Sequence, residues 1–313
     1  MKKIIAALAS LLLLLTVSAC GTDAGAGAGN TGEQETIKIK GTNGTVSVPR
    51  HPKRIVVLDY GVLDSLDKLG ASGHIVGLPR QNVPAYLKQY DSDKYANLGN
   101  LKEVDLEKIN SLEPDLIISS NRLTDLNEKF EKIAPTLQLT VDEKNYLDSF
   151  KENTLELAKI VGKTSKAKAE IKKIDQKIAD LKARVPEDQK TLTIIANEGK
   201  ASAFGSGSRY GLINDLFGFT SVDSHIEASP HGQSISTEYI SKKNPDYLFV
   251  VDRSAVVTQK PSAKQVIEND LVKRTSAYKN KHIVLLNPEV WYFSGGGIES
   301  LNIMIDEVAG AVK

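Results

Sequence analysis

The chain has 313 residues, with 40 Lys and Arg against 39 Asp and Glu and a formal net charge of +1. That length accommodates two hydrophobic cores. The near balance of charge excludes bulk nucleic-acid binding, so any basic site must be local.

Lys2 and Lys3 precede an apolar run from Ile4 to Val17 and small residues up to Cys20, the one cysteine of the chain. This is the pattern of a secretory signal, too short for a stable spanning helix. Val17-Ser18-Ala19-Cys20 resembles a bacterial lipobox, which implies removal of residues 1–19 and lipidation of Cys20. Two acyl chains there give durable membrane attachment, which a single chain does not. Residues 20–36, rich in Gly, Ala and Thr, are expected to be a flexible tether. The folded part is then expected outside the cytoplasm, without disulfides, anchored to the outer face of the cytoplasmic membrane in a Gram-positive arrangement. Capture, sensing and surface enzymology are the functions left open.

Ile37 to Val48 reads as a β-hairpin around Asn43-Gly44. Arg54 to Leu58 reads as a buried strand, followed by a helix from Gly61 to Leu69 that Gly70 can end. The stretch Asp105 to Arg122 then recurs from Ser236 to Arg253, every landmark displaced by 131 residues (107 to 238, 122 to 253). Glu107 answers to Glu238, Ile109 to Ile240, Pro114-Asp115 to Pro245-Asp246, and Arg122 to Arg253. In each copy a short helix stops at the proline and an apolar run follows, Leu116 to Ile118 and Tyr247 to Val251. Such runs predict buried parallel strands. Each arginine therefore falls past the C-terminal end of a strand, the edge where open α/β sheets bind ligands. Each glutamate precedes its strand, and the two charges are expected on different surfaces.

Ala167, Ile171, Ile174, Ile178 and Leu181, spaced by three and four, predict an amphipathic helix over residues 164–185, with Thr164-Ser165 as N-cap and Pro186 beyond. About twenty residues span ~30 Å, enough to join two lobes. A coiled-coil partner is the alternative reading of the stripe. Beyond it, Leu192 to Ala196 and a helix near Arg209 to Phe217, ending at Gly218, echo the first half. The fold class expected is α/β, with parallel sheets in an N-terminal lobe over residues 37–163 and a C-terminal lobe over residues 186–313.

The hairpin, His51-Pro52-Lys53-Arg54, Leu106-Glu107-Lys108-Ile109 with Pro114-Asp115, and the crossover helix resemble the substrate-binding lipoproteins of bacterial ABC importers for ferric siderophores and vitamin B12. The likeness spans essentially the whole mature chain. It implies the class III binding-protein fold, two Rossmann-like lobes on one long helix with ligand in the cleft between them. Arg122, Arg209, His231, Arg253 and Tyr292 look like those of the catecholate binders, of petrobactin and ferric-enterobactin type. The resemblance implies a ferric catecholate siderophore as ligand, no intrinsic cofactor, and ABC permease subunits as partners of a monomer. It also implies that Glu107 and Glu238, one per lobe, dock onto the permease.

The chemistry suits that ligand. Anionic oxygens around ferric iron call for buried positive charge, and guanidinium stays ionised, offers a fixed fork of donors and stacks on rings. Arg122 and Arg253 are expected from the two lobes and Arg209 from the Gly-rich stretch before it, with Tyr60 added to the ligand-binding set. His231 lies in a turn sequence, Ser229-Pro230-His231-Gly232, and Tyr292 in Trp291-Tyr292-Phe293 before Gly295-Gly296-Gly297. Phenolate and imidazole are acceptable to Fe³⁺. A four-donor siderophore leaves two positions that Tyr292 and His231 can fill, whereas with a six-donor one they only line the cleft. The glycines before the last helix admit a second reading as a phosphate cradle.

Haem or a corrinoid is a competing ligand, with Tyr292 as axial group, although three arginines exceed what two propionates need. A surface enzyme is disfavoured: the chain has no Gly-x-Ser-x-Gly elbow and no Cys-x-x-Cys. A free-metal receptor would want converging ligands, and the histidines at 51, 74, 225, 231 and 282 are scattered.

Overall fold

Strands β1 (Thr36–Gly41) and β2 (Gly44–Pro49) form the antiparallel hairpin at the start of the described residues, 35–312, of a computed structural model. The signal sequence, Cys20 and almost all of the 20–36 segment lie outside them. Among the described residues no helix is long and apolar enough to cross a membrane. The hairpin loop is Thr42-Asn43, one residue earlier than expected, and Gly44 supplies the positive φ of 105°. The register is set from outside. Asn43 donates to the Thr136 carbonyl (2.9 Å) and accepts from the Gln138 amide (2.9 Å), which pins the hairpin to a neighbouring strand.

The first lobe is a wholly parallel sheet of β3 (Ile55–Val57), β4 (Ile75–Leu78), β5 (Ala96–Asn97), β6 (Leu116–Ser119) and β7 (Thr136–Gln138), in the order β5-β4-β3-β6-β7. Its apolar runs are buried on both faces, as a covered parallel strand requires. Helix α1 (Tyr60–Leu69) starts on the Asp59 carboxylate, which accepts from the Gly61 and Val62 amides, and ends at Gly70 in the left-handed region. Helix α2 (Leu106–Ser111) feeds β6, and α3 (Tyr146–Ile160) leads into the connecting helix α4 (Thr164–Lys182). The expected stripe of α4 is the buried one, with Ile171 at its margin. It packs on α3 and on the last helix of its own chain, which occupies the stripe that a coiled-coil partner would need. Thr164 is its first helical residue and no side chain caps it, contrary to the expected Thr164-Ser165 cap.

The second lobe departs from the expected parallel sheet. Strands β8 (Lys190–Asn197), β9 (Lys200–Phe204), β10 (Thr220–Ser221), β11 (Gln233–Ile235), β12 (Tyr247–Asp252) and β13 (Ile283–Leu286) run in the order β11-β9-β8-β12-β13, with β10 beside the start of β8. β8, β10, β12 and β13 are parallel, but β9 turns straight back on β8 and β11 pairs antiparallel with β9. The cause is local: Glu198 and Gly199 both take positive φ (52° and 76°), which makes a two-residue hairpin where a crossover was expected. The helix expected over 209–217 is regular only from Leu212 to Asp215.

Helix α5 (Thr237–Lys243) precedes β12, α6 (Arg253–Val257) follows it, and α7 (Ile298–Ala311) ends the chain. Although α7 follows the second sheet, it packs on α1 of the first lobe and on α4. The largest hydrophobic cluster accordingly runs through both lobes, from Leu63 and Leu66 through Phe150, Ile174 and Met304 to Phe249. The Pro-Asp landmarks of the repeat are structural. Asp115 accepts from the Lys53 and Arg54 amides (2.6 and 2.9 Å), and Asp246 accepts from the Lys190 amide (2.9 Å), each tying a strand to its neighbour at the N-terminal edge.

Candidate functional site

The parallel strands end along one edge in each lobe, and the residues just past those ends form the walls of a cleft of about 810 Å³. Arg122 lies in the short helical turn after β6, and Arg253 opens α6 directly after β12. Arg209 comes from the loop after β9. Tyr292 stands on a π-helical turn, Glu289–Ser294, between the second sheet and α7, and such turns leave carbonyls unused by the helix. Its carbonyl oxygen accepts from Arg122 (2.8 Å) and also from Arg209, so one backbone atom gathers guanidiniums from both lobes. Its hydroxyl accepts from Arg253 Nε (3.0 Å), whose Nη1 donates to Asn197 Oδ1 (2.7 Å) at the end of β8. The guanidinium carbons of Arg209, Arg122 and Arg253 lie 4.5, 5.4 and 5.6 Å from the Tyr292 ring centroid, within cation–π range.

This clustering shifts the ionisable groups. Burial pushes the Tyr292 hydroxyl up, but the Arg253 hydrogen bond and the charges of Arg253, Arg209 and Arg122 outweigh it, and the net shift is below the ordinary phenol value. Burial and the repulsion of Arg209 both lower the Arg122 pKa, partly offset by Tyr292 and Asp59. On the first lobe's wall, burial raises the Asp59 carboxyl against the pull of its helix amides and Arg122, and raises Glu143 against the pull of Arg209. The cleft is thus strongly positive at its centre, with two carboxyls held back at its margin.

His231 lines the same cleft but is exposed, in a turn where Gly232 takes φ 71°. Trp291 is 2% exposed, lines the cleft and donates from Nε1 to Glu307 (2.7 Å). Among the described residues no group of three or more His, Cys, Asp and Glu could hold a metal ion.

Tyr60 is a correction. Only 1% exposed, it turns into the first lobe and its hydroxyl donates to the Pro79 and Gln81 carbonyls (both 2.9 Å). Its chain neighbours Asp59 and Gly61 line the cleft in its place. The phosphate cradle is also overturned. The Asp64 carboxylate of α1 accepts from the Glu299 and Ser300 amides (2.8 and 2.6 Å), which fills the N-terminus of α7. Gly297 is required there by closeness, since a Cβ would fall 2.3 Å from Asp64 Oδ2.

The glutamates lie elsewhere than expected along the sheets. The Asp105 amide at the start of α2 donates to Leu98, just past β5, while Asp115 beyond its end meets Arg54 before β3. Ser236 at the start of α5 follows Ile235, which pairs with Ala201 opposite Ala196 near the end of β8. Exposed Glu107 and Glu238, in the first turns of these helices, therefore lie toward the same sheet edge as the arginines. Sequence reasoning missed Asn197, Asp59 and Glu143. The position of Asn197 at a strand's C-terminal end was a usable signal, whereas Glu143 lies in a turn that no periodicity marks.

A periplasmic binding protein family model matches residues 55–290. The petrobactin-binding protein YclQ of Bacillus subtilis (strain 168) is 48% identical over 317 residues, 100% of both chains. Its crystal structure superposes with a TM-score of 0.88 over 89% of this chain and 99% of that one. The ferric-anguibactin-binding protein FatB of Vibrio anguillarum is 33% identical over 87% of this chain and 86% of its own. The periplasmic catecholate-siderophore binding protein VctP of Vibrio cholerae is 32% identical, with a TM-score of 0.83 over 88% of this chain and 100% of that one.

Proposed function

The chain belongs to the periplasmic binding protein family, and from that premise we propose that it captures a ferric siderophore of catecholate, petrobactin-like type in the inter-lobe cleft and delivers it to an ABC permease. The observation that carries this reading is the convergence of Arg122, Arg209 and Arg253, from two lobes, on Tyr292. Three guanidiniums around one ring suit a ligand that is both anionic and aromatic. The relatives' names, petrobactin-binding and ferric-anguibactin-binding, support the same class. The protein is read as a carrier with no intrinsic cofactor and no reaction of its own, acting as a monomer outside the cytoplasm on a Cys20 lipid anchor.

Iron is cargo here. With a ligand that leaves coordination positions open, Tyr292 supplies a phenolate, and its lowered pKa supports that role. Exposed His231 reaches such a ligand from the rim. With a six-donor ligand both only line the cleft. Glu107 and Glu238, exposed at the cleft edge of each lobe, suit docking on two permease subunits.

Trp291 is the only tryptophan, so its fluorescence reports the cleft alone. Titration with ferric complexes of four- and six-donor catecholates is expected to quench it saturably. Silence toward every catecholate, with binding of haem or hydroxamates instead, would overturn the ligand class.

A further inference from the structure

Opposite the cleft, the N-terminal edge of the first sheet carries a basic face. Lys38 on β1, Arg50 after β2, Lys159 near the end of α3, and Lys163 and Lys166 around the start of α4 line a groove of about 640 Å³. The His51 amide, donating to the Ile160 carbonyl (2.9 Å), brings the loop after β2 onto the end of α3 and so assembles the group. Arg50 is neutralised by Glu35 (3.2 Å) and Lys159 by Glu156. Lys38, Lys163 and Lys166 are exposed, with no carboxylate within 4.0 Å among the described residues. No Asp or Glu among the described residues lines the groove. The uncapped first turn of α4 adds its free amides to the positive end.

The chain enters at this same face. The Arg50 amide donates to the Glu35 carbonyl (2.7 Å), which places the first described residue beside the groove. From Cys20 to that point the chain reaches at most ~50 Å.

We propose that this face docks on anionic phospholipid headgroups and holds the body against its own membrane with the cleft outward. The inference rests on Cys20 bearing the lipid, which keeps the basic face within reach of headgroups. Without Lys2 and Lys3 of the leader the formal net charge of +1 becomes −1 (1 − 2), which gives no general attraction to anionic lipid, so orientation must come from the local excess. Three lysines without a carboxylate partner among the described residues make a weak contact that salt screens, suited to release when the cleft edge turns to a permease. Ligand then enters from the side facing away from the bilayer.

The test uses the full lipidated chain in vesicles of phosphatidylcholine, with or without phosphatidylglycerol. A fluorophore is placed at Ser165→Cys beside the groove or at Asp270→Cys on the second lobe, with an acceptor on the headgroups. Energy transfer from the Ser165 position is expected to rise with phosphatidylglycerol. It should fall about twofold with added salt or in the triple variant Lys38→Gln, Lys163→Gln, Lys166→Gln, while the Asp270 position changes little. Equal transfer in both lipids, or transfer unchanged in the triple variant, overturns the proposal. Mass spectrometry of Cys20 and siderophore titration are read on the same samples. Missing acyl chains overturn the anchor and this docking together, whereas lost ligand binding counts against the carrier function alone.

Discussion

At the scale of single residues, Tyr292 is held between burial, which raises its hydroxyl pKa, and three guanidiniums, which lower it further. Tyr60, Tyr86, Tyr90, Tyr146, Tyr210, Tyr239 and Tyr247 all shift upward. Alkaline titration of phenolate absorbance is therefore expected to show one tyrosine ionising early, and Tyr292→Phe should delete that step; an early step that survives the variant assigns the shift elsewhere. A depressed pKa contributes stability above the unfolded value of 10.0 and loses it as pH falls through the folded value, so stability at neutral pH is untouched. A ligand that takes the phenolate must release its proton, so its affinity rises with pH up to the pKa of Tyr292 in the free protein and levels off above it. Arg122 brings the first lobe's charge to the site, and a charge-assisted hydrogen bond contributes ~1.5–3 kcal/mol. Arg122→Ala is expected to weaken ferric-siderophore binding by ~tenfold to a hundredfold, with Arg122→Lys between because the fork is lost. Parent-like affinity of the alanine variant in a fluorescence titration would remove Arg122 from the binding set.

At the scale of elements, the joint between α1 and α7 is a buried carboxyl. Burial pushes Asp64 up to about 7 although the Ser300 and Glu299 amides, Ser300 and Tyr86 hydrogen-bond to it. A folded pKa above the unfolded 3.8 means that this group's contribution to stability is complete below 3.8 and lost as pH rises through about 7. Asp64→Asn keeps a capping oxygen and removes the titration, so chemical denaturation at stepped pH should show a flatter profile across that window. Asp64→Ala leaves two amides without an acceptor and should cost ~1–2 kcal/mol below pH 3.8, a cost that shrinks as pH rises through about 7. A parent-like slope in Asp64→Asn would place the pH dependence in another group. This joint also marks the limit of what the sequence could tell. The hairpin, β3, β6, β12 and the stripe of α4 were legible because burial writes apolar runs and periods into the chain. Arg122 and Arg253 were legible because a repeated strand end fixes where each falls. A cap supplied from a residue 235 positions away, Asp64 to Glu299, leaves no local pattern, and three glycines without it read as an anion cradle. Tyr60 was misplaced for a related reason: the first residue of a helix at the cleft edge can turn inward when carbonyls wait there. The antiparallel return of β9 hung on two positive φ values at Glu198 and Gly199, of which only the glycine is suggestive.

At the scale of the whole molecule, two helices rather than one hold the lobes together. Connecting helix α4 packs on α3 and α7, α7 packs on α1, and one hydrophobic cluster runs through the junction. Hinge closure would have to break that cluster, so small-angle scattering with and without ferric siderophore is expected to show little change in the radius of gyration; a large contraction would mean that the α1–α7 joint opens. Rigid lobes bear on the proposed delivery to a permease. Glu107 and Glu238 each ride on a short helix capped by its own lobe, by Asp105 and Ser236, and both helices begin at the sheet edge that carries the cleft. Their spacing is consequently a fixed property of the fold and not of the ligand. Exposed single charges contribute little to stability, so Glu107→Ala with Glu238→Ala should leave denaturation and Trp291 quenching by ferric siderophore at parent values. Uptake of radio-iron siderophore in cells should fall to the level without the binding protein, and each single variant should fall between, since each lobe would keep one contact. Loss of ligand binding in the double variant would refute the separation of capture from docking, and undiminished uptake would show that the permease grips other residues along the cleft edge.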